Sequence, residues 1–213
     1  MTATAAGTGQ ITTLDELEAL VGTPIPTVAD KVRTSLDPID IEWIAGTPLI
    51  MLATSDADGR CQVSPKGDPA GFVRVLDPHT IVMPERPGNK RVDGYRNIIV
   101  NPHAGMIFLI PGRDDTLRAN GRARIVTDGP YFDDMIVKGH RPKLALELDV
   151  EEVFYHCAKA FLRSKTWKPE TWDAEVVPSR ARISHTLERK DQPLAEVEAH
   201  YGQSYAEKIY RES

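Results

Sequence analysis

The sequence lacks the features that would mark it as a secreted, membrane or nucleic-acid-binding protein. No uncharged apolar run approaches the roughly 18 residues that a membrane span needs, and the opening MTATAAGTGQ has neither the cationic start nor the apolar run of a signal peptide. The formal net charge of -5 argues against general nucleic-acid binding, which needs a basic face. The two cysteines, Cys61 and Cys157, lie far apart, so a disulfide is possible but nothing demands one. We therefore predict a reduced, cytoplasmic protein without nucleic-acid or membrane partners.

The usual catalytic and metal-binding motifs are also missing. The six histidines show no H-x-x-x-H spacing and the two cysteines form no C-x-x-C pair, so we predict no metal site. There is no G-x-S-x-G elbow, no G-x-G-x-x-G loop and no phosphate-binding loop of the NTPase type. The motifs name no catalytic residue.

Helical patterns fill the first 36 residues. Residues 1–13 are small, polar and aperiodic, which is typical of a loose terminus. Apolar residues then recur at helical spacing over Leu14–Val21 and over Val28–Leu36. Asp37 is a suitable N-cap for a third helix that begins at Pro38. The pattern predicts an N-terminal helical extension over 1–36.

The middle of the chain, 37–157, has the pattern of an antiparallel β-structure. Short apolar segments are separated by turn signals such as Asp56-Ala57-Asp58-Gly59, and one helix is predicted over Asn89–Val100. Several short strands interrupted by one helix favour an antiparallel barrel. The predicted strands are Leu49–Thr54, Cys61–Ser64, Phe72–Leu76, Thr80–Met83, Ala104–Ile110, Thr116–Val126 and Leu144–Val153.

After about Tyr155 the pattern becomes helical and polar, which predicts a C-terminal helical extension over 158–213 that packs on the barrel or on a dimer partner. Ala158–Leu162 is predicted to extend the last strand. If this segment is helical instead, Lys159 and Arg163 lie one turn apart on the face that Trp167 continues. One face of a terminal helix carries Leu194, Val197, Tyr201, Tyr205 and Ile209.

The segment Pro84–Arg91, PERPGNKR, is the strongest candidate site. A strand is predicted to end at Met83 and a helix to begin at Asn89, which puts Lys90 and Arg91 in the first helical turn. A helix N-terminus already carries about half a positive charge, so two cations there conflict with the helix dipole. A bound phosphate would remove the conflict, with Arg86 as a further ligand and Asn89 as a cap or donor. The alternative is a solvated face with ordinary surface pairs.

Two weaker candidates lie elsewhere. Ser64 and Lys66 in VSPKGD stand where Pro65 is expected to end or bulge the strand, although the same letters form a good turn with an exposed lysine. Lys159, Arg163 and Trp167 combine cations with an aromatic face, or form the snorkelling end of an amphipathic helix. Cys157 is predicted to be a packed structural cysteine rather than a nucleophile.

The order of these segments resembles the flavin-binding split-barrel proteins related to pyridoxamine 5′-phosphate oxidase. The resemblance covers roughly Ile39–Val126 and rests on LIMLATSDADGR, CQVSPKGDPAGF, TIVMPERPGNKR, YRNIIVNPHAGMIFLIP and TLRANGRARIV, with weaker likeness through Trp167. It implies a fold that is mainly β with flanking helices, an antiparallel six-stranded split β-barrel of the FMN-binding type. It also implies a homodimer with FMN at the subunit interface. The pairing of VSPKGD and RPGNKR with CAKAFLRSKTW indicates an uncharacterised bacterial subgroup.

The resemblance assigns roles to individual residues. It implies that Lys90 and Arg91, with Arg86 and Asn89 beside them, hold the FMN phosphate, while Pro84 and Glu85 line the isoalloxazine edge. Ser64 and Lys66 fall on the strand that runs along the flavin, and Thr116 falls where the family often places a polar side chain. The segment that carries Lys159, Arg163 and Trp167 is expected on the substrate side or at the partner's flavin.

The resulting hypothesis is an FMN-dependent oxidoreductase that acts on an unidentified small molecule, since a flavin carries the redox chemistry and the protein supplies binding and orientation. The chain has no clear counterpart to the C-terminal Arg/His segment that closes the oxidase's substrate site, because it ends in YAEKIYRES. Two alternatives remain open: a non-catalytic flavin- or haem-binding or sensing protein, and a deazaflavin-dependent reductase.

Overall fold

The computed structural model describes residues 9–202, 205, 209 and 210, and it divides the chain into two units, 1–32 and 33–213. The first unit contains α1 (Leu14–Val21) and α2 (Pro26–Ala29), neither of which has a buried residue. Thr13 and Glu16 form a reciprocal capping box at the start of α1. Residues 1–8 of the predicted loose terminus lie outside the described residues.

The helix predicted over Val28–Leu36 is wrong. Helix α2 ends at Ala29, and the main chain at Arg33 instead exchanges two hydrogen bonds with Val153 in an isolated antiparallel bridge. Apolar residues at helical spacing do not reveal this pairing, because its partner lies 120 positions later in the sequence. A helix follows as predicted: α3 begins at Pro38, and Asp37 caps it.

The second unit contains one antiparallel sheet of seven strands in the order β2-β1-β5-β6-β7-β4-β3. The prediction of mainly antiparallel β-structure with flanking helices is confirmed, but the six strands that the resemblance implied are wrong: the sheet has seven, with the β3–β4 hairpin beside β7. The strands are β1 (Leu49–Ser55), β2 (Cys61–Gly67), β3 (Arg74–Asp77), β4 (Thr80–Pro84), β5 (His103–Leu109), β6 (Thr116–Val126) and β7 (Ala145–His156).

Five helices accompany the sheet in the described part of this unit. Helix α4 connects β4 to β5, and α5 follows β7. The strand extension predicted over Ala158–Leu162 is therefore wrong, because the backbone at Ala158 is already right-handed helical. The helices are α3 (Pro38–Gly46), α4 (Asp93–Val100), α5 (Lys159–Ser164), α6 (Arg180–Leu187) and α7 (Leu194–His200), with short 3₁₀ turns at Asp133–Met135, Pro169–Thr171 and Ala174–Val176.

Helix α7 covers the first part of the predicted terminal helix, and Val197 on its predicted apolar face is fully buried. Residues 203, 204 and 206–208 of that prediction lie outside the described residues. None of the described helices is long and apolar enough to cross a membrane. The cytoplasmic location stays a prediction.

The main core consists of residues from the sheet together with residues of α3 and α4. Its members alternate with exposed residues along β1, whose inward positions Ile50 and Leu52 are at most 1% exposed. Helix α4 packs on β1, and the Asn97 amide donates a hydrogen bond to Thr54 Oγ1 over 3.1 Å. The largest fully buried apolar side chains of this core are Ile44, Ile50, Leu52, Ile81, Met83, Met106, Phe108, Leu117, Leu146 and Leu148.

Candidate functional site

A cleft of about 470 Å³ opens between the free edge of β2, the segment 85–92 after β4, and the first turn of α4. Its volume lies in the ordinary range for sites that bind small molecules or cofactors. It brings together eight of the twelve predicted site residues: Ser64, Lys66, Pro84, Glu85, Arg86, Asn89, Lys90 and Arg91.

Strand β2 forms one wall of the cleft. The expectation that the strand ends or bulges at Pro65 is wrong, since β2 continues to Gly67 and Pro65 pairs with Met51 of β1. Because β2 has a strand neighbour on one side only, a proline without an N–H can stand there without breaking the ladder. Ser64 and Lys66, two positions apart, are both half-buried and share one face.

The opposite wall begins where β4 ends. Pro84 pairs with Ala145, and the Glu85 N–H donates to the Leu144 carbonyl over 2.9 Å, so the chain stays in register with β7 for one further residue. The chain then leaves the sheet. Pro84 is buried and Glu85 is half-buried.

Arg86 is anchored by two of its three guanidinium nitrogens. Nε donates to Asp68 Oδ2 over 2.5 Å, and Nη2 donates to the Met135 carbonyl over 2.8 Å. Nη1 is buried and has no hydrogen-bond partner among the described residues. A buried donor without an acceptor is costly, and an anion in the cleft that reached this nitrogen would relieve that cost.

The predicted helix start at Asn89 is wrong: α4 begins at Asp93, so Lys90 and Arg91 precede the helix and are not in its first turn. Lys90 itself and Val92, which stands between Arg91 and the helix, are left-handed, with φ of +60° and +47°. Positive φ is rare for a lysine and an outlier for a β-branched valine, and such strain is concentrated at functional sites. The loop turns the cationic segment toward the cleft instead of continuing the helix.

The first turn of α4 is open to a ligand. Its N-cap, Val92, offers no side-chain acceptor, and its carbonyl accepts from the Tyr95 and Arg96 N–H groups, so the Asp93 and Gly94 N–H groups precede the first intrahelical bonds. Gly94 lies close to β1 in this turn, where a Cβ would make an ordinary contact with Thr54 Oγ1 at 3.5 Å. Asp93 is the acidic residue of the first turn, and Arg91 Nε donates to its Oδ2 over 2.8 Å.

The cations of the loop are close to solvent. Arg91 and Lys90 are exposed, and the Arg91 N–H donates to Asn89 Oδ1 over 3.1 Å. The Arg91–Asp93 pair is a surface ion pair, which contributes little to stability and can rearrange. Cationic side chains, uncapped N–H groups and the orphaned Arg86 nitrogen together form a donor set that suits a phosphate.

Tyr95 is a cleft residue that the sequence reasoning missed. Its hydroxyl donates to Glu85 Oε2 over 2.5 Å, and Lys66 Nζ donates to the same oxygen over 2.9 Å. The Lys66 ammonium also lies 5.0 Å from the centre of the Tyr95 ring. Burial raises the pKa of Tyr95 far above its ordinary value, and the adjacent Glu85 charge raises it further, so the phenol stays neutral. Tyr95 lies three residues after the left-handed Val92, so its place in the cleft depends on the helix starting at Asp93.

The four other predicted residues do not line this cleft. Thr116 is buried at the start of β6, where it pairs with His156. Lys159 and Arg163 are exposed on α5, and the Trp167 indole stacks on Phe161 and donates to the Arg113 carbonyl over 2.7 Å. Cys157 is exposed, so the packed structural role predicted for it is wrong, and no disulfide joins it to Cys61.

The sequence comparison identifies the family. The model of the pyridoxamine 5′-phosphate oxidase family matches residues 41–157, just over half of the chain. The match contains the whole cleft. The chain therefore belongs to the pyridoxamine 5′-phosphate oxidase family, as the resemblance of its motifs indicated.

Solved structures are similar to part of this chain with modest scores. A variant of HupZ from Group A Streptococcus is 26% identical, with a TM-score of 0.46, over 56% of this chain and 98% of its own. An FMN-binding protein from Syntrophomonas wolfei is 15% identical, with a TM-score of 0.41, over 56% and 81%. HutZ, a haem storage protein from Vibrio cholerae, is 18% identical, with a TM-score of 0.40, over 57% and 93%. A search of curated proteins found no match.

Proposed function

We propose that this chain is an FMN-dependent oxidoreductase that acts on a small molecule. The observation that carries the proposal is the donor set at the cleft: Lys90 and Arg91 beside the uncapped start of α4, with the unpartnered Nη1 of Arg86 in the same wall. Such a set binds a phosphate, and the cleft beyond it has room for more of a nucleotide-like ligand. Membership of the pyridoxamine 5′-phosphate oxidase family supports FMN as that ligand.

In this proposal the two walls of the cleft bind different parts of FMN. Lys90, Arg91 and the first N–H groups of α4 bind the phosphate, and the anchored Arg86 fixes the loop that carries them. Ser64 and Lys66 orient the remainder of the ligand along β2. When bound, the flavin supplies the electron and hydride chemistry. The protein binds and orients the cofactor and sets the charge around it.

The cleft favours a flavin over haem. Protein-bound haem is usually held by a histidine, cysteine, methionine or tyrosine ligand. No histidine, cysteine or methionine lines the cleft in the described part of the chain, and its tyrosine, Tyr95, is already bonded to Glu85. The non-catalytic alternative would retain the bound flavin without accelerated turnover by NADH or NADPH. Parallel titrations with FMN and a deazaflavin distinguish the two cofactor classes.

The absorption spectrum and an FMN titration test the cofactor. Purified protein should be yellow or should bind added FMN. The double variant Lys90→Ala/Arg91→Ala should weaken binding by several kcal/mol, since each charged hydrogen bond is worth about 1.5–3 kcal/mol. Arg96→Ala is the matched control, because Arg96 is an exposed cation on α4 outside the cleft. Colourless protein that fails to bind FMN would overturn the proposal, and an unchanged dissociation constant in the double variant would remove these two residues from the site.

We also propose a homodimer in which Lys159, Arg163 and Trp167 of one subunit complete the cleft of the other. The supporting observation is that the two cations are exposed and lie outside their own subunit's cleft. A mixing experiment tests this arrangement. Two variants are mixed, Lys90→Ala/Arg91→Ala and Lys159→Ala/Arg163→Ala, each of which is defective alone. After random subunit exchange, about a quarter of all sites should be intact, because each heterodimer has one site without a substitution. Absence of any recovery, with subunit exchange verified, would contradict a shared site.

A further inference from the structure

An ion pair inside the cleft has a role that phosphate binding does not explain. Lys66 on β2 and Glu85 on the opposite wall are joined by a 2.9 Å contact, and their side chains are only 21% and 20% exposed. Tyr95 donates to the same Glu85 oxygen over 2.5 Å. Three polar side chains thus converge within the cleft, away from the exposed Lys90 and Arg91 at its mouth.

This arrangement fixes a positive charge. The Glu85 carboxylate accepts from Lys66 Nζ and from the Tyr95 hydroxyl, so the ammonium group is held beside its counter-charge. The Lys66 ammonium has three N–H donors, and one of them donates to Glu85. The Tyr95 ring lies against another side of the ammonium group. Lys66 can therefore offer a fixed positive charge and a remaining N–H donor to a ligand in the cleft.

We propose that Lys66, positioned by Glu85 and Tyr95, sets the reduction potential of the flavin bound in this cleft. This inference rests on the proposed function. Oxidised FMN that takes up two electrons and one proton gains one negative charge. A fixed cation in the same partly buried cleft stabilises that additional charge, so the reduced cofactor binds more tightly than it would without Lys66.

The inference is distinguishable from a structural brace between the two walls. A brace is broken equally by the loss of either partner, so Lys66→Met and Glu85→Gln would then change stability and FMN affinity in the same direction. An electrostatic role predicts opposite signs for the potential. Lys66→Met removes the cation and should lower the potential, whereas Glu85→Gln leaves the cation uncompensated and should raise it.

The experiment is a mediated redox titration of FMN-loaded protein, with dithionite as the electron source. Two unit charges a few ångström apart interact strongly in a partly buried site, so Lys66→Met should reduce the ratio of reduced to oxidised FMN affinity by about tenfold or more. For a two-electron couple a tenfold change corresponds to about 30 mV. Glu85→Gln should shift the potential in the opposite direction. Tyr95→Phe removes one donor without changing formal charge and should shift it less than either.

The outcomes separate the two proposals. Wild-type protein that fails to bind FMN overturns the proposed function. The role of Lys66 is overturned if the wild type binds FMN but all variants have the same potential, or if Lys66→Met and Glu85→Gln shift the potential in the same direction. The proposed function stands in either case. If Lys66→Met does not retain FMN, the upward shift in Glu85→Gln is decisive, and no upward shift there refutes the inference. Lys90→Met at the cleft mouth is the comparison, with weakened binding and a smaller change in potential expected.

Discussion

Asp68 and Arg86 form the most buried ion pair beside the cleft: Nε donates to Oδ2 over 2.5 Å, and the two side chains are 1% and 13% exposed. Asp68→Asn should lower the free energy of unfolding by about 3–5 kcal/mol, because it leaves the guanidinium buried without its counter-charge. Urea denaturation measures the loss. Asp93→Asn, which breaks the exposed pair with Arg91, is the control and should cost about 1 kcal/mol or less. Equal losses in the two variants would contradict the assigned burial.

Gly121 and Gly94 should respond oppositely to alanine. At Gly121 the β6–β7 register shifts, and an added Cβ would lie 1.8 Å from the Asp149 carbonyl oxygen, which only a backbone shift can relieve. Gly121→Ala should therefore destabilise the protein by more than about 3 kcal/mol. At Gly94 the added Cβ makes ordinary contacts of 3.5 Å or more, and alanine favours the helix by about 0.5–1 kcal/mol. Thermal unfolding of both variants tests the pair, and tolerance of Gly121→Ala would contradict the bulge.

Replacing Val92 with glycine should not reduce the stability of the protein. Its φ of +47° costs a β-branched residue about 1–2 kcal/mol, and its side chain is 37% exposed, so glycine would remove the strain but also a partly buried isopropyl group. Glycine also raises the conformational entropy of the unfolded chain, which offsets part of the relieved strain. Val92→Gly should therefore be neutral or stabilising by up to about 1 kcal/mol. Val100→Gly, at an exposed position of the same helix with ordinary backbone, should lose about 1 kcal/mol. Comparable losses at both positions would show that Val92 is not strained.

The buried Asp40 should make stability fall in acid. Burial alone would raise the pKa of this carboxyl, but hydrogen bonds from the Arg33 guanidinium and the Asp37 N–H outweigh it and lower the pKa below its ordinary value of 3.8. The unfolded chain therefore takes up the proton first as the pH falls, so this stabilisation is complete well above pH 4 and is lost as the pH falls through the folded-state pKa.

Asp40→Asn tests this dependence. The variant should be less stable than the wild type at pH 7, and the difference should shrink toward pH 3, as measured by urea denaturation across that range. Arg33→Met removes the cause of the lowered pKa and should also flatten the acid limb. A constant difference between wild type and Asp40→Asn at every pH would contradict the argument.

Strand positions were predictable from the sequence because they depend on local apolar runs and turn signals. The β1–β2 hairpin follows from alternation and the Asp56–Gly59 turn, and the paired register extends it through Pro65 to Gly67. What could not be predicted depends on distant partners. Arg33 pairs with Val153 rather than forming a helix, and the number of strands in one sheet depends on whether β3 and β4 join β7.

The sequence predicts most of the residues that line the cleft, but not the backbone conformation that positions them. Clustered cations around Lys90 pointed to a phosphate site, and the structure gathers them with Ser64 and Lys66. Lys90 and Arg91 do not lie in the first turn of a helix as predicted, because residue preferences do not predict a positive φ at Val92. Tyr95 was missed for the same reason: its approach to Glu85 depends on where α4 starts.

The strand order has a consequence for how the protein matures. Most strand pairings join neighbours in the chain and can form early, whereas β1–β5 and β4–β7 join segments that are remote in sequence and pay a larger loop-closure cost. The cleft requires both, because one wall is β2 and the other follows β4. A nascent chain therefore completes the cleft only when these non-local pairings are made, and a ligand that binds the cleft stabilises the folded chain alone.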